Sequence, residues 1–519
     1  MIIIYKFIKG RKPMWDSILS GIKDVNDVLN SYVWGWPTII MILGTGLLLT
    51  IRTRVLQVRK FGDSLNTTIV PTIKSVGKKR QADRVNSISQ FEAFSTAISG
   101  TVGTGNIVGV VAAILTGGPG AVLWMWISAF FGMVTNYSEN VLGLYFRKKD
   151  SKGNLAGGAF YYIAYGLKWK WLAYFASVFC IFAAIGMGGV QTNKISGALA
   201  ETFSRATDTS GNTEFVKMII GIIVAVLAAI IIIGGIKRIG RVASMLVPFM
   251  SVLFIVLALI AIGTHYYRVP EAFNLIFTKA FDFEAVGGGI LGFTFATVIK
   301  KGMARGVFSN EAGLGSSVIA HSASETREPV KQGLWGVFEI FFDTFVICTL
   351  TSLMFLTTND VNTLSPDMED SVMSMSMFSS NFGGFGTAAF SIILPMFAFT
   401  SIIAWSYYGE KAVEFFFGFM KEENRKYPVT IFKVIYVLLI AVAALIHSQL
   451  IWEIADTFNG LMALPNLICL VALSGLVAKI TKNYYDRKKG KDVEPMLSAY
   501  AEMNEEFKRD IMSGEREMQ

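Results

Sequence analysis

Charge is scarce in this chain. Asp, Glu, Lys and Arg make up 16% of its 519 residues, against about 25% in an ordinary soluble domain. That is too little polar surface for a water-exposed protein of this length. Cysteine and histidine are scarcer still, three of each. Cys180, Cys348 and Cys469 each sit inside an apolar run without metal-like spacing, so they read as packing residues. His265, His321 and His447 are far apart along the chain. No H-E-x-x-H, no phosphate-cradling loop with its lysine and no G-x-S-x-G occurs, which leaves an intramembrane enzyme without its usual chemistry.

What the chain has instead is apolar length. Hydrophobic residues make up 53% of it, and they come in runs of about 18 or more, enough to cross the hydrocarbon layer as a helix. In lipid every backbone N–H and C=O must be satisfied internally, so spanning structure is helical or a closed barrel. Uninterrupted runs, rather than alternation, select helices. Eleven candidate spans follow, near 35–51, 88–117, 121–146, 171–203, 217–236, 243–264, 284–319, 333–357, 385–409, 428–447 and 451–478. Ahead of them, Ile18, Leu19, Ile22, Val25, Val28 and Leu29 recur at helical spacing, as in an amphipathic helix on the membrane surface.

Lys and Arg divide unevenly between the two sets of loops. Of 47, 33 fall in 52–87, 146–170, 237–242, 321–332, 410–427 and the tail from 478, whereas 9 fall in the opposite set. The positive-inside rule then puts the C-terminal tail in the cytoplasm and the N-terminus outside. The net charge of +9 therefore marks headgroup-facing loops such as KSVGKKR and YYDRKKGK, not a nucleic-acid surface.

Two spans stand out. The second reads SISQFEAFSTAISGTVGTGNIVGVVAAILTGG, with Gly100, Gly103, Gly105 and Gly109 near its middle and Thr101, Thr104 and Asn106 among them. One reading is a small-residue packing seam. The other is a mid-membrane break, whose half-helix N–H groups suit a carboxylate and whose carbonyls suit Na⁺. The spacing G-x-x-G-x-G is denser than a seam needs. The seventh span opens on three glycines and adds Gly292 beside Phe293, Thr294 and Phe295, which predicts an interruption near Phe295. It lies five spans after the second. Two interrupted helices in matching positions predict two five-helix inverted repeats, with the first span as an extra.

At these residues the chain resembles the sodium:alanine symporter family, through SGTVGTGNIVG, GGAFYYI, GMGGVQTNKIS and RGVFSNEAGLGSS, over about 35–480. The resemblance implies the LeuT-type fold and import of alanine, glycine or, in some members, glutamine together with Na⁺. It implies that the N–H groups of Thr104 and Gly105, beside Asn106, hold the substrate carboxylate. Carbonyls of Ser99 and Val102 then face a sodium ion, with Phe397, Thr400 and Ser401 of the ninth span opposite. Oxygen ligands suit a hard cation, although Ser and Thr hydroxyls also bond back to the preceding helical turn. Gln191 resembles the substrate-contacting glutamine of the third core helix; helix–helix bonding is its alternative role. Trp405, with Phe293 or Phe295 opposite, would wall a small pocket, or serve as a core aromatic. Asp343 lies near mid-depth, where a carboxylate is expensive; a second cation site, a proton site and a structural partner for Thr or Asn all fit it. Glu139, Arg305, Asn310 and Glu311 read as gate or fold-holding groups.

The fold expected is thus an all-α polytopic membrane protein of eleven transmembrane helices. Its segments are an N-terminal amphipathic stretch (1–33), a first span with a basic loop (34–87), two inverted repeats (88–283 and 284–478) and a cytoplasmic tail (479–519). The expected function is sodium-coupled import of a small neutral amino acid across the plasma (inner) membrane, with no cofactor, no nucleic acid and no indication of oligomeric state. The alternative is a proton-coupled or exchange-only carrier of the same fold. The Thr400–Ser401 pair and the absence of Lys or Arg from 391–409 favour sodium.

Overall fold

A computed structural model describes residues 12–74, 87–149, 153–207, 213–281, 295–359, 370–446 and 448–512. The chain is mostly helical. Its order is α1 (Lys12–Val33), α2 (Trp36–Arg52), α3 (Gln90–Thr101), α4 (Val108–Gly117), α5 (Ala121–Tyr145), α6 (Lys170–Thr207), α7 (Thr213–Ile232), α8 (Gly235–Thr264) and α9 (Val269–Lys279). There follow α10 (Phe295–Asn310), α11 (Ser317–His321), α12 (Pro329–Thr358), α13 (Asp370–Phe416), α14 (Lys426–Ala443), α15 (Ser448–Lys488) and α16 (Ala501–Met512). Short helical turns fill 56–74, and β1 (Lys148–Lys149) pairs antiparallel with β2 (Leu155–Ala156). Among the described residues, eight helices are long and apolar enough to cross a membrane. The protein is therefore a multi-pass membrane protein.

Local chemistry sets the helix ends. Pro37 opens α2, where its missing N–H costs nothing. Ser89 caps α3 in a reciprocal box: its Oγ accepts from the N–H of Glu92 (3.1 Å), and its own N–H donates to the Glu92 carboxylate (2.8 Å). In α1, Ile22, Val25, Val28 and Leu29 are exposed. The opposite face is tied to α15, where Asn30 Nδ2 donates to Thr457 Oγ1 (3.0 Å) and Trp34 Nε1 to the Asp456 carbonyl (3.0 Å). An apolar face left outward in this way suits lipid.

Within the bundle α6 runs along α13 and α15, while α5 runs along α12 and α10. α13 joins two helical stretches across Gly383 (φ 58°). The second span is interrupted, as expected: α3 stops at Thr101 and α4 starts at Val108. The seventh differs from expectation. Residues 284–294 lie outside the described residues, and from Phe295 the helix runs unbroken to Asn310. Its interruption comes at 311–316, through Glu311 (φ 57°), Gly313 (φ 91°) and Gly315 (φ 76°). Left-handed turns part the helix there.

The start of the first interrupted span meets the end of the second on one side of the bundle. Ile88 donates its N–H to the Ala323 carbonyl (3.3 Å) and accepts from Glu325 (2.8 Å). Arg147, fully buried, donates to the carbonyls of Ser324 (2.7 Å) and Ser322 (3.3 Å), pinning the loop that follows α11. The C-terminal helix closes over this side: Phe507 packs with Leu155 and Leu497, and Arg327 Nε pairs with Asp510 (2.9 Å).

Candidate functional site

The break between α3 and α4 is built from backbone. Val102 (φ −81°, ψ 88°) and Gly103 (φ −132°, ψ −151°) leave the helix, and Thr104–Asn106 form a single 3₁₀ turn. Side chains from remote helices meet the exposed main chain. Gln191 Oε1 on α6 accepts from the N–H of Thr104 (3.1 Å). Asn106 turns its Oδ1 back to the N–H of Gly103 (2.9 Å) and its Nδ2 to Asp343 Oδ1 (2.6 Å). Ser401 Oγ on α13 donates to the carbonyl of Gly100 (3.3 Å), and Thr351 Oγ1 to that of Asn106 (2.8 Å). A Cβ on Gly103 would lie 3.2 Å from Gln191 Nε2 and 3.3 Å from Ser401 Cβ, so the turn is held close from both sides.

Asp343 sits in a π-helical stretch of α12, Phe341–Cys348, a distortion frequent at functional sites. Besides Asn106, it accepts from Ser309 Oγ (3.1 Å) and Thr344 Oγ1 (2.8 Å). Its carboxylate therefore ties α10, α12 and the first break together. Glu311, in the second break, accepts from Ser316 Oγ at 2.5 Å. Glu139 holds the far edge of that break, accepting from the Gly315 N–H (3.0 Å) and from Asn466 Nδ2 (2.5 Å).

The structure gathers Ser99, Val102, Thr104, Gly105, Asn106, Gln191, Ser401 and Asp343 around one interruption. The remaining residues singled out from sequence stand differently. The Thr400 hydroxyl bonds back to the carbonyls of Phe397 (3.0 Å) and Met396 (3.1 Å) of its own helix. Trp405 is fully buried, edge-on to Tyr408 (5.4 Å), with its indole N–H beside the Glu311 carboxyl. Phe293 lies outside the described residues. Phe295 packs against Trp124 (6.1 Å), about 20 Å along α10 from the residues at the break, so it does not wall the site.

Another aromatic pair lies against the break. Phe308 and Trp452 stack at 5.0 Å, nearly parallel at 15°. A Cβ on Gly105 would meet Phe308 at 3.5 Å, and one on Gly109 would meet Trp452 at 3.7 Å. Arg305 lies 4.8 Å from the Trp452 ring and Lys194 lies 5.1 Å from it. Reading the sequence missed Phe308, Ser309 and Trp452. For Phe308 and Ser309 the signal was present: both belong to the RGVFSNEAGLGSS segment.

Three comparisons bear on this arrangement. The profile of the sodium:alanine symporter family matches residues 19–498. The chain is 38% identical over 472 residues to the sodium/alanine symporter AgcS of Methanococcus maripaludis, covering 89% of this chain and 97% of that one. It is 33% identical over 467 residues to the probable sodium/glutamine symporter GlnT of Bacillus subtilis, covering 90% and 91%. Among solved structures it resembles MhsT in complex with L-phenylalanine, with a TM-score of 0.53, 16% identity and coverage of 78% of this chain and 99% of that one. It also resembles a Na⁺-coupled sialic acid symporter, with a TM-score of 0.51, 13% identity and coverage of 91% and 96%. At such identities the structural likeness speaks for the fold alone. A family profile spanning nearly the whole chain, on a LeuT-type fold with paired helix breaks, makes this protein a transporter that belongs to the sodium:alanine symporter family.

Proposed function

We propose that the protein imports alanine or glycine together with Na⁺ by alternating access through the interrupted helices. The observation that carries this reading is the first break. The N–H of Thr104 faces Gln191, and the carbonyl of Gly100 faces the hydroxyl of Ser401. Main-chain donors and acceptors are thus turned across the bundle instead of along a helix. Donors at the start of a half-helix favour a carboxylate. Carbonyl and hydroxyl oxygens favour Na⁺. In this reading Thr104, Gly105 and Asn106 take the carboxylate, Gln191 and Trp405 position the rest of the substrate, and Ser99, Val102, Phe397, Thr400 and Ser401 surround the ion. Thr400 then has to turn its hydroxyl from its own helix toward the cation.

The relatives support this reading from two directions. AgcS carries alanine in its name and GlnT carries glutamine. The higher identity to AgcS and the close Phe308–Trp452 wall favour the smaller side chains. We further assign eleven spans in an inner membrane, ten of them in two five-helix inverted repeats, with the N-terminus outside and the tail inside. Each Na⁺ entering down the membrane potential gains about 2.3 kcal/mol per 100 mV. Uptake of labelled alanine and glycine into proteoliposomes tests the proposal. Both are expected to enter only with Na⁺ outside, and Ser401→Ala should lower the apparent Na⁺ affinity. Uptake unchanged when choline replaces Na⁺ would overturn it.

A further inference from the structure

A buried imidazole–carboxylate pair lies just beyond the second break. His321 is the last residue of α11, and its Nε2 stands 2.7 Å from Oε2 of Glu339 on α12; both side chains are fully buried. The side-chain nitrogen of Gln332, Nε2, donates to the other ring nitrogen, Nδ1, at 2.6 Å, so the ring's own N–H is the one at Nε2, facing Glu339. Apart from His321, the polar side chain that meets the Glu339 carboxyl is the hydroxyl of Ser317, at the start of α11. Among the described residues no Lys or Arg pairs with Glu339. The other titratable groups facing it are acids: Glu139 on α5, Glu311 in the break, Asp343 on α12 and Tyr408 on α13. The Arg147 guanidinium donates through its two terminal nitrogens to the carbonyls of Ser322, Ser324 and Thr326.

A lone negative charge in so dry a place is strongly unfavourable. The pair is neutral only with one further proton, and because Nδ1 already accepts from Gln332 that proton belongs on the carboxyl. In water the two side chains titrate near pH 6.5 and 4.3, so when separated above about pH 7.5 they hold almost none. Parting them therefore releases a proton. They part if α11 leaves α12, and the left-handed turns at Glu311, Gly313 and Gly315 give α11 a hinge on its other side.

We propose that His321 and Glu339 form a proton-binding site that locks α11 against α12, and that loss of its proton to the cytoplasm accompanies inward opening. Cytoplasmic pH then sets the opening rate. Above about pH 7 the docked state holds about one more proton than the opened one, so opening gains up to tenfold per pH unit. Below about pH 6 the freed imidazole keeps its proton and the dependence vanishes. The gating half of this rests on the alternating-access reading; the proton-binding half does not.

Two measurements on the full-length protein separate them. The first is thermal unfolding in detergent between about pH 5 and 9. The wild-type midpoint should fall above about pH 7 as the folded pair's extra proton becomes costly. Glu339→Gln, which keeps the shape but needs no proton, should make that fall shallower, the other buried acids keeping their share. His321→Gln leaves the buried carboxyl still requiring a proton, so its slope should persist and extend below pH 6. Equal slopes in wild type and Glu339→Gln overturn the proton site. The second is initial Na⁺-driven alanine uptake into proteoliposomes with only the internal pH varied. Wild-type uptake should rise severalfold from about pH 6.5 to 8.5, and Glu339→Gln should be flat. A flat wild-type profile overturns the gating. Absence of Na⁺-driven uptake at any pH would instead count against the transport reading, with the unfolding slopes still deciding the proton site.

Discussion

Asn106 shows how much one side chain carries here. Its Oδ1 satisfies the Gly103 N–H left free by the break, and its Nδ2 donates to Asp343. Asn106→Ala strips both at once, leaving a buried donor unpaired and removing one of the carboxylate's hydrogen bonds. Each such loss costs about 1–3 kcal/mol. Lower thermal stability and sharply reduced amino-acid uptake are expected; a variant with the wild-type melting point would contradict the assigned bonds. Asn106, Gln191 and Asp343 could be picked out from sequence because polar groups inside apolar runs are conspicuous. Trp452 could not, since one tryptophan among many in a lipid-facing composition carries no mark of the neighbour it will stack upon.

At the level of elements, the two interruptions were not equally legible. Glycines interleaved with Thr and Asn announce the first, and the structure parts α3 from α4 there. In the second, the glycine-rich opening of the seventh span lies outside the described residues, and a turn that the sequence reading did not single out occurs after Asn310. A helix tolerates glycine at modest cost, so composition alone does not end it. What ends it is a run of positive φ angles stabilised by Glu139 and Asn466 from outside the segment and by Ser316 within it. Gly315 tests this. At φ 76° an added Cβ would stand 2.5 Å from Ala159 Cβ, combining backbone strain with overpacking, together roughly 2–4 kcal/mol. Gly315→Ala should therefore lower the unfolding midpoint far more than Gly263→Ala, whose Cβ meets nothing within 4 Å. Similar midpoints would show that the turn is not held there.

Across the whole molecule, the asymmetry of Lys and Arg predicts which face is cytoplasmic. The structure places Arg147, Arg327 and the C-terminal helix together on one side. A protein freed of its three buried cysteines allows a direct check. Lys491→Cys, at a side chain 59% exposed, should resist a membrane-impermeant maleimide in intact cells and react once they are permeabilised. Tyr266→Cys, 73% exposed, should react in both. The reverse pattern would invert the topology.

That the chain lives in a membrane, spans it as helices and breaks one of them near Gly103 follows from composition and local pattern, because lipid admits so few ways to satisfy a backbone. Which side chains meet at the break does not follow. Thr104 and Gln191 are 87 positions apart, and Asn106 and Asp343 are 237 apart. Such encounters depend on how helices tilt, pack and turn against one another, and no local preference encodes that. Phe308, rather than Phe295, faces the break for the same reason: the rotation and depth of α10 are set by the surface it packs on.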